Sequence, residues 1–501
     1  MAERDIILSL DIGTSNIKLA AVDKRGEIVR LHKRALRLKC PQPGYQEICP
    51  TELWDDIESL FKSTCEGIES RIAALGISTH RSTFITWERD TDNYLHNFIT
   101  WADQRAQKMC DNWNNAYIVR IGQSILQAVG TVVGSTHMIC IANFKVQSAN
   151  AMMRLKWVME NIAAAKPLHD KGNLCFGTLD TWIIYKLTGK ATWATDYTNA
   201  AATGLYDMWG DRWCPAMSWV FSLPFGALPE VRNSNASFGQ ISSELNLGFS
   251  APIHGILADQ QASVFGNHLF EEGDVKLSLG TSIACDRLTG SYVHPVAMSV
   301  YPQIAWRLAG SEIVYMAESM TMELRGKYLD WLVSAKLVDS IKEINNIALS
   351  VKSSETPLFI KKDGVNEKPI EEFMVEKSNC TNAHFVRAVM EAHVFRAKIL
   401  LDDVFDFYGR TDKIIVDGGA SSSQFILESL CAVTGIDVYR SNCVEGALMG
   451  AFYVTGLGLG WWNTLEDIKL FTELTQISPL KEEDGCTLLE KFKKWKTLTN
   501  Y

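Results

Sequence analysis

One recurrence constrains this chain more than any other feature. Residues 8–29 (LSLDIGTSNIKLAAVDKRGEIV) and 275–293 (VKLSLGTSIACDRLTGSYV) each read as strand, Gly-Thr-Ser turn, strand, Gly-containing turn, strand. The triplets Gly13-Thr14-Ser15 and Gly280-Thr281-Ser282 stand about half of the 501 residues apart. That period is far too long for a solenoid and fits two duplicated domains facing each other across a cleft. The triplet alone arises readily by chance; the matching flanks give the comparison its weight.

The rest of the pattern is α/β. IILSLDIG, KLAAVDK and EIVRLHKRALRL read as strands, with turn signals at residues 11–15 and 23–26. TELWDDIESLFKSTCEGIESRI then has helical periodicity. It opens at Thr51 and puts Trp54, Ile57, Leu60, Phe61 and Ile68 on one face, ahead of a strand IAALGIST. With 47% hydrophobic and 21% charged residues the chain is an ordinary globular protein. A formal net charge of -9 without a block of like charge argues against nucleic acid as a partner. The 12 cysteines are scattered without a C-x-x-C pair, neither a disulfide framework nor a zinc signature. The run Ile6–Leu10 is too short for a signal-peptide core, and the sequons at Asn235 and Asn379 carry no inference without one. Segment 446–462 falls short of the ~20 residues of a membrane span and is interrupted by glycines, so it reads as a buried helix. A reduced, cytoplasmic protein without a transmembrane segment is expected.

The turns have a chemical use. Glycine lets backbone amides approach a ligand closely, and the amides and hydroxyls of Thr14 and Ser15 suit phosphate oxygens. Lys18 adds a positive charge just beyond, and Asp11 is placed to hold Mg²⁺ through waters. Two such hairpins can grip a nucleotide triphosphate from both sides. A third turn, Asp417-Gly418-Gly419-Ala420, joins a strand to a helix beginning at the serines; its paired glycines permit flat approach of an adenosine. An ordinary β–α turn has the same look, and neither a Walker A pattern nor G-x-G-x-x-G after a strand is present. Asp259, in APIHGILADQQASVFGN, comes at the carboxyl end of a strand, where open α/β sheets bind ligands. A carboxylate there can take the proton of an attacking alcohol; an aspartate before a helix is also a common N-cap.

Taken in order, DIGTS with Lys18, GISTHRSTFITW (76–87), TWADQR (100–105), GTLDTWIIYKLTG with TDYTNAAATGLYD (177–207), ADQQASVFG (258–266), LSLGTS (277–282) and VDGGASSSQF (416–425) resemble the FGGY carbohydrate kinases. Within these the chain is most similar to glycerol kinases, a divergent branch of them above all. The resemblance spans about residues 6–462. It implies a duplicated actin-like (ribonuclease H-like) α/β fold, divided here as residues 1–252 and 253–501, that closes on MgATP and phosphorylates a polyol. By the same resemblance Asp259 is the general base. Thr14, Ser15 and Lys18 (for an arginine) handle phosphates, with Gly280 and Thr281 from the second hairpin. Gly418, Gly419, Ala420 and Gln424 (for an asparagine) meet adenosine, and Asp11 meets the metal. Arg81, Ser82, Trp101, Asp259 and Gln260 line the substrate.

Departures gather at both ends. Ser82 stands where a substrate-binding glutamate is usual, Ala284 replaces an aromatic wall, and ANAMMRLKW (149–157) lacks the expected tyrosine. At the nucleotide end Met320, Met322 and Leu324 bring bulk where small residues are usual, and 358–374 stands in for a missing segment. Three readings follow: a glycerol kinase, with a homo-oligomer as one option for its assembly; a pseudokinase that keeps the scaffold for interaction; or a kinase for pentuloses or sugar acids. Among the 15 tryptophans Trp54, Trp157 and Trp182 lie at helical spacing and belong to the core, while Trp461 and Trp462 seal a domain edge. His80 reads as a hydrogen-bonded histidine near the sugar. Asp180 and Asp196 read as architectural, and Asp103 with Arg105 as either pocket or structural pair.

Overall fold

A computed structural model describes residues 4–280, 282–294, 299–321, 327–353, 356–362, 370–374, 380–443, 445–469, 471 and 473–499. Two sheets organise it. The first contains β1 (Ile6–Ile12), β2 (Asn16–Asp23), β3 (Ile28–Ala35), β4 (Ile72–Thr79), β5 (Ser237–Gln240) and β6 (Pro252–Ala258) in the order β5-β6-β4-β1-β2-β3. The second contains β7 (Val275–Leu279), β8 (Ile283–Gly290), β9 (Val300–Arg307), β10 (Ile313–Met320), β11 (Lys413–Asp417), β12 (Asp437–Ser441) and β13 (Leu474–Ile477) in the order β9-β10-β8-β7-β11-β12-β13.

The duplication is topological. β1 pairs antiparallel with β2 and parallel with β4, as β7 pairs antiparallel with β8 and parallel with β11. β4 then pairs parallel with β6, and β11 with β12. Each half is thus the ribonuclease H-like arrangement anticipated above. The second copy departs from the expected pattern at its third strand. Ser291–Val293 form none, and the antiparallel partner of β8 is β10, reached through β9. The strand β6 completes the first sheet, so a division at residue 252 would cut it from its partner β4. We propose instead that the division falls between residues 266 and 275.

Buried side chains explain the central strands. β1 is buried along its whole length, with Ile6, Leu8, Leu10 and Ile12 on one face and Ile7 on the other, as a strand covered on both sides must be. Helix α1 (Pro50–Cys65) packs Leu53, Ile57, Leu60 and Phe61 on the first face. It begins at Pro50, whose missing N–H costs nothing at a first helical position, rather than at Thr51, and stops before Gly67 at φ 75°. Ile68 therefore lies beyond it. The exposed edge strand β3 carries Arg30, Lys33 and Arg34, which discourage edge pairing. Trp182 is fully buried and meets Trp54 edge to face.

Between the sheets two helices cross: α2 (Asp259–Gly266), which follows β6, and, after α3 (Asn382–Tyr408) and α4 (Gln424–Thr434), α5 (Gly446–Leu459), which follows β12. A methyl on Gly450 would lie 1.9 Å from the carbonyl oxygen of Ala262, and one on Gly266 2.0 Å from that of Gly446. The helices therefore touch backbone to backbone. The glycines of segment 446–462 serve this crossing, in a buried helix that Gly460 ends in a left-handed conformation; Trp461 and Trp462 pack beyond it on Phe452. Among the described residues no single helix is long and apolar enough to cross a membrane; the bent pair Gln107–Asn115 and Tyr117–Val133 (61°) meets that test only when joined.

Candidate active site

Three neighbouring parallel strands end together. Asp11 lies near the end of β1 in register with Ser78, and Thr79 at the end of β4 is in register with Ala258 at the end of β6. The chain then releases His80 and Arg81 beside Asp259. Asp11 is buried with Lys18 Nζ 4.0 Å from Oδ2, while among the described residues Oδ1 makes no hydrogen bond of normal geometry, to the neighbouring Ser78 hydroxyl included. Burial pushes its carboxyl up to about 7 against the pull of Lys18. Asp259 is the first residue of α2 and only partly buried. It accepts from Gln260 N at 2.9 Å and does not cap the helix, a position held by Ala258. Burial raises its pKa and Arg81 lowers it. His80 is buried, with Nδ1 3.1 Å from Ile12 O and 3.2 Å from Gly13 O, so Nδ1 carries the proton. Burial holds the ring neutral, with a pKa of about 4. It ties the strand end to the first hairpin.

At the other end of this row, Arg81 reaches across to the second sheet. Its Nη2 donates to both carboxylate oxygens of Glu318 on β10, at 2.9 and 2.7 Å, and Tyr301 Oη donates to Glu318 Oε1 at 2.8 Å. A carboxylate of the second sheet is thus spent on Arg81, next to Ser82. Ser82 sits at φ 61°, and its hydroxyl donates to Ala202 O at 2.6 Å, which commits its proton to the protein instead of a ligand. Gln260 accepts from the buried Lys276 at 3.3 Å. Trp101 is half-buried on the turn after Phe98–Ile99, its N–H bonded to Thr83 Oγ1 at 3.1 Å. Arg154 fastens these loops. Fully buried, it donates to the carbonyls of Ser82, Ile99, Thr100, Ser148 and Ala149, at 2.5–2.9 Å, and burial lowers its pKa to about 9. Asp103 and Arg105 form a structural pair at 2.8 Å shared with Glu47. Asp180 and Asp196 are buried, accepting from Thr195 and from the turn Thr198–Asn199, respectively.

The nucleotide end is built on the hairpins. Gly13 N donates to Asn16 O and Gly280 N to Ser282 O, leaving Thr14 half-buried and Ser15 exposed at the tip; Thr281 lies outside the described residues. Lys18 donates to Glu445, ahead of α5, at 2.5 Å. Gly418, at φ 87°, lies so near the second hairpin that a methyl there would meet the Leu279 carbonyl at 2.7 Å. Gly418 and Gly419 are exposed and Ala420 buried. A short 3₁₀ turn spans Gly419–Ser422, and α4 begins only at Gln424, after the cap Ser423. Gln424 is spent on Glu428 at 3.0 Å. Asp417 is the anchor beneath, accepting from Ser263, Ser278 and Asn267 with Lys276 4.0 Å away. Lys276 also pairs with Asp286 at 3.2 Å, both buried. Met320 ends β10 opposite Ala284, the large residue facing the small one. Met322 and Leu324 lie outside the described residues, as do 363–369 within the divergent segment.

The profile of the FGGY family of carbohydrate kinases, N-terminal domain, matches residues 6–266, and that of its C-terminal domain residues 277–459. The chain belongs to the FGGY family of carbohydrate kinases. The kinase is 33% identical over 473 residues to glycerol kinase 5 of Danio rerio, covering 92% of this chain and 89% of that one. It is 30% identical to glycerol kinase of Deinococcus radiodurans over 510 residues, 99% of this chain and 97% of the other. Among solved structures it resembles Plasmodium falciparum glycerol kinase with ADP at a TM-score of 0.87 and 22% identity, over 100% of this chain and 99% of that one. Sequence reasoning missed Glu318, Tyr301, Arg154, Lys276, Asp286 and Glu445. Buried charge in apolar strands, as in CDRL and AESM, is the signal that would have pointed to Asp286 and Glu318.

Proposed function

We propose that the kinase transfers the γ-phosphoryl group of ATP to glycerol, giving sn-glycerol 3-phosphate and ADP. The observation that carries this reading is Asp259, a partly exposed carboxylate just past a strand end, within electrostatic reach of Arg81 and Asp11. In the reaction Asp259 accepts the proton of the attacking hydroxyl as its oxygen bonds the γ-phosphorus and the bond to ADP breaks. Burial raises the pKa of Asp259 and makes it a stronger base, while Arg81 opposes that rise. Arg81 and Trp101 orient the polyol, Thr14, Ser15, Lys18, Gly280 and Thr281 hold the phosphates, and Gly418, Gly419 and Ala420 bracket adenosine.

Asp11 fits a divalent cation, because among the described residues its buried Oδ1 lacks a hydrogen-bond partner of normal geometry and Oδ2 is only distantly offset by Lys18. Bound there through waters, Mg²⁺ would offset phosphate charge. Free cysteines, many of them buried, accord with a reducing cytoplasm.

Asp259→Asn tests the reading. Turnover with glycerol should fall about 10²–10⁴-fold, the usual worth of a general base, while ADP still raises the unfolding temperature as in the parent. A normally active, coupled Asp259→Asn enzyme would refute the assignment. A panel of polyols, pentuloses and sugar acids assayed for ADP release identifies the acceptor.

A further inference from the structure

Resting on that polyol-kinase reading, we propose that Glu318 is a positioning and specificity-determining residue. From the opposite lobe it aims Arg81 and cancels its charge, so that the acceptor end takes uncharged polyols and turns away sugar acids.

The geometry separates the donors of Arg81 from its charge. Both hydrogen bonds to Glu318 leave from Nη2, and among the described residues no partner meets Nε or Nη1. Those N–H groups remain for substrate hydroxyls, since a guanidinium carries five N–H hydrogens. The charge is nevertheless neutralised by a two-oxygen contact with a carboxylate whose side chain is 1% exposed. Tyr301 fixes that carboxylate from β9, so its position does not depend on the loop carrying Arg81.

The neighbouring groups make the same selection. Lys276 is buried and already paired with Asp286 at 3.2 Å. Among the described residues Asp259 forms no ion pair within 4 Å; Arg81 and Lys276 act on it only from farther off. A carboxylate-bearing sugar placed here would meet a neutralised arginine and a free aspartate, with no spare cation to offset its own charge in a poorly solvated cleft. A neutral polyol needs only donors from Arg81 and an acceptor at Asp259, and it finds both. The pair also spans the lobes, so Arg81 is aimed only when the sheets are brought together.

The full-length enzyme tests this with steady-state kinetics on glycerol and with glycerate and gluconate as acceptors and inhibitors. Glu318→Gln should raise KM for glycerol about 10- to 100-fold, the scale of a lost charged hydrogen bond, with kcat changed far less. It should also gain competitive inhibition by glycerate that the parent lacks. Tyr301→Phe leaves the Arg81 pair in place and should shift both quantities in the same direction by less. It decides the matter if Glu318→Gln fails to show the parent's thermal shift with ADP. An unchanged KM without gain of glycerate binding in an active parent background, or a loss confined to kcat, overturns the role of Glu318. A parent that is stabilised by ADP yet phosphorylates no polyol refutes the polyol-kinase reading and this inference with it. A parent active on polyols while the variants stay unaltered refutes the inference alone.

Discussion

Alanine in place of glycine should have opposite signs at two helical positions of this kinase. At Gly450 the added Cβ would sit 1.9 Å from Ala262 O and 2.9 Å from Ala262 Cα, where ordinary contact needs 3.4 Å or more. The helices α2 and α5 would therefore have to part by about 1.5 Å, since the obstacle is backbone and no side chain can swing away. Overpacking by a methyl costs about 1–3 kcal/mol in ordinary cores, and a backbone obstacle puts Gly450→Ala at the upper end. Helix propensity returns about 1 kcal/mol, leaving a net loss of roughly 2 kcal/mol. At Gly122, in helix Tyr117–Val133, nothing among the described residues lies within 4 Å of the added methyl, so Gly122→Ala should gain about 0.5–1 kcal/mol. Denaturant unfolding reads both, with the slope compared to ensure the same transition is followed. Because α2 begins at Asp259, Gly450→Ala should also lower turnover, and Gly122→Ala should not. A Gly450→Ala protein as stable as the parent would show that the crossing is looser than its geometry states, and would refute the argument.

Variants at two further sites probe buried ionisable groups. His80 has its pKa lowered from 6.5 to about 4 by burial, so the unfolded chain binds a proton that the folded one refuses between those values. Stability is accordingly lost as pH falls through that window, by about 3 kcal/mol at its lower end. His80→Gln should remove that component, and parallel stability–pH curves for parent and variant would contradict it. Lys276→Met strands Asp286 and should cost about 3–5 kcal/mol, most of it recovered in Lys276→Met/Asp286→Leu; a double-mutant cycle that shows no coupling would contradict the pairing.

The strands and turns that repeat were legible because each is local. Gly13 and Gly280 close hairpins through hydrogen bonds to Asn16 and Ser282, only two or three residues away. Asp259 was legible too, since a strand passing directly into a helix places it at the sheet's edge. What escaped was long-range. Arg81 meets Glu318 at a separation of 237 residues and Lys18 meets Glu445 at 427, distances over which periodicity carries no information. β6 looked like the opening of the second half because its pairing with β4, across the inserted residues 80–251, has no local signature. Arg154 was hidden for a different reason: among the described residues its hydrogen-bond partners are backbone carbonyls, which every sequence possesses.

The long-range pairs share a geometry that bears on closure. Arg81 with Glu318, at the acceptor end, joins the strand ends of the first sheet to the second sheet. Lys18 with Glu445, at the phosphate end, joins the first hairpin to the residue that precedes α5. Between them Ser9 Oγ donates to Leu448 O at 2.6 Å, pinning β1 to α5. Separating the lobes would expose both ion pairs to water, where each is worth little, so the open state loses less electrostatic energy than the buried distances suggest. The hydrophobic seam of Leu257, Phe265, Leu448 and Phe452 behaves differently, since it is buried at the crossing itself and moves least in a hinge there. Opening is therefore cheap at the two ends and costly at the centre, as a cleft that must admit a polyol and a nucleotide and then exclude water requires.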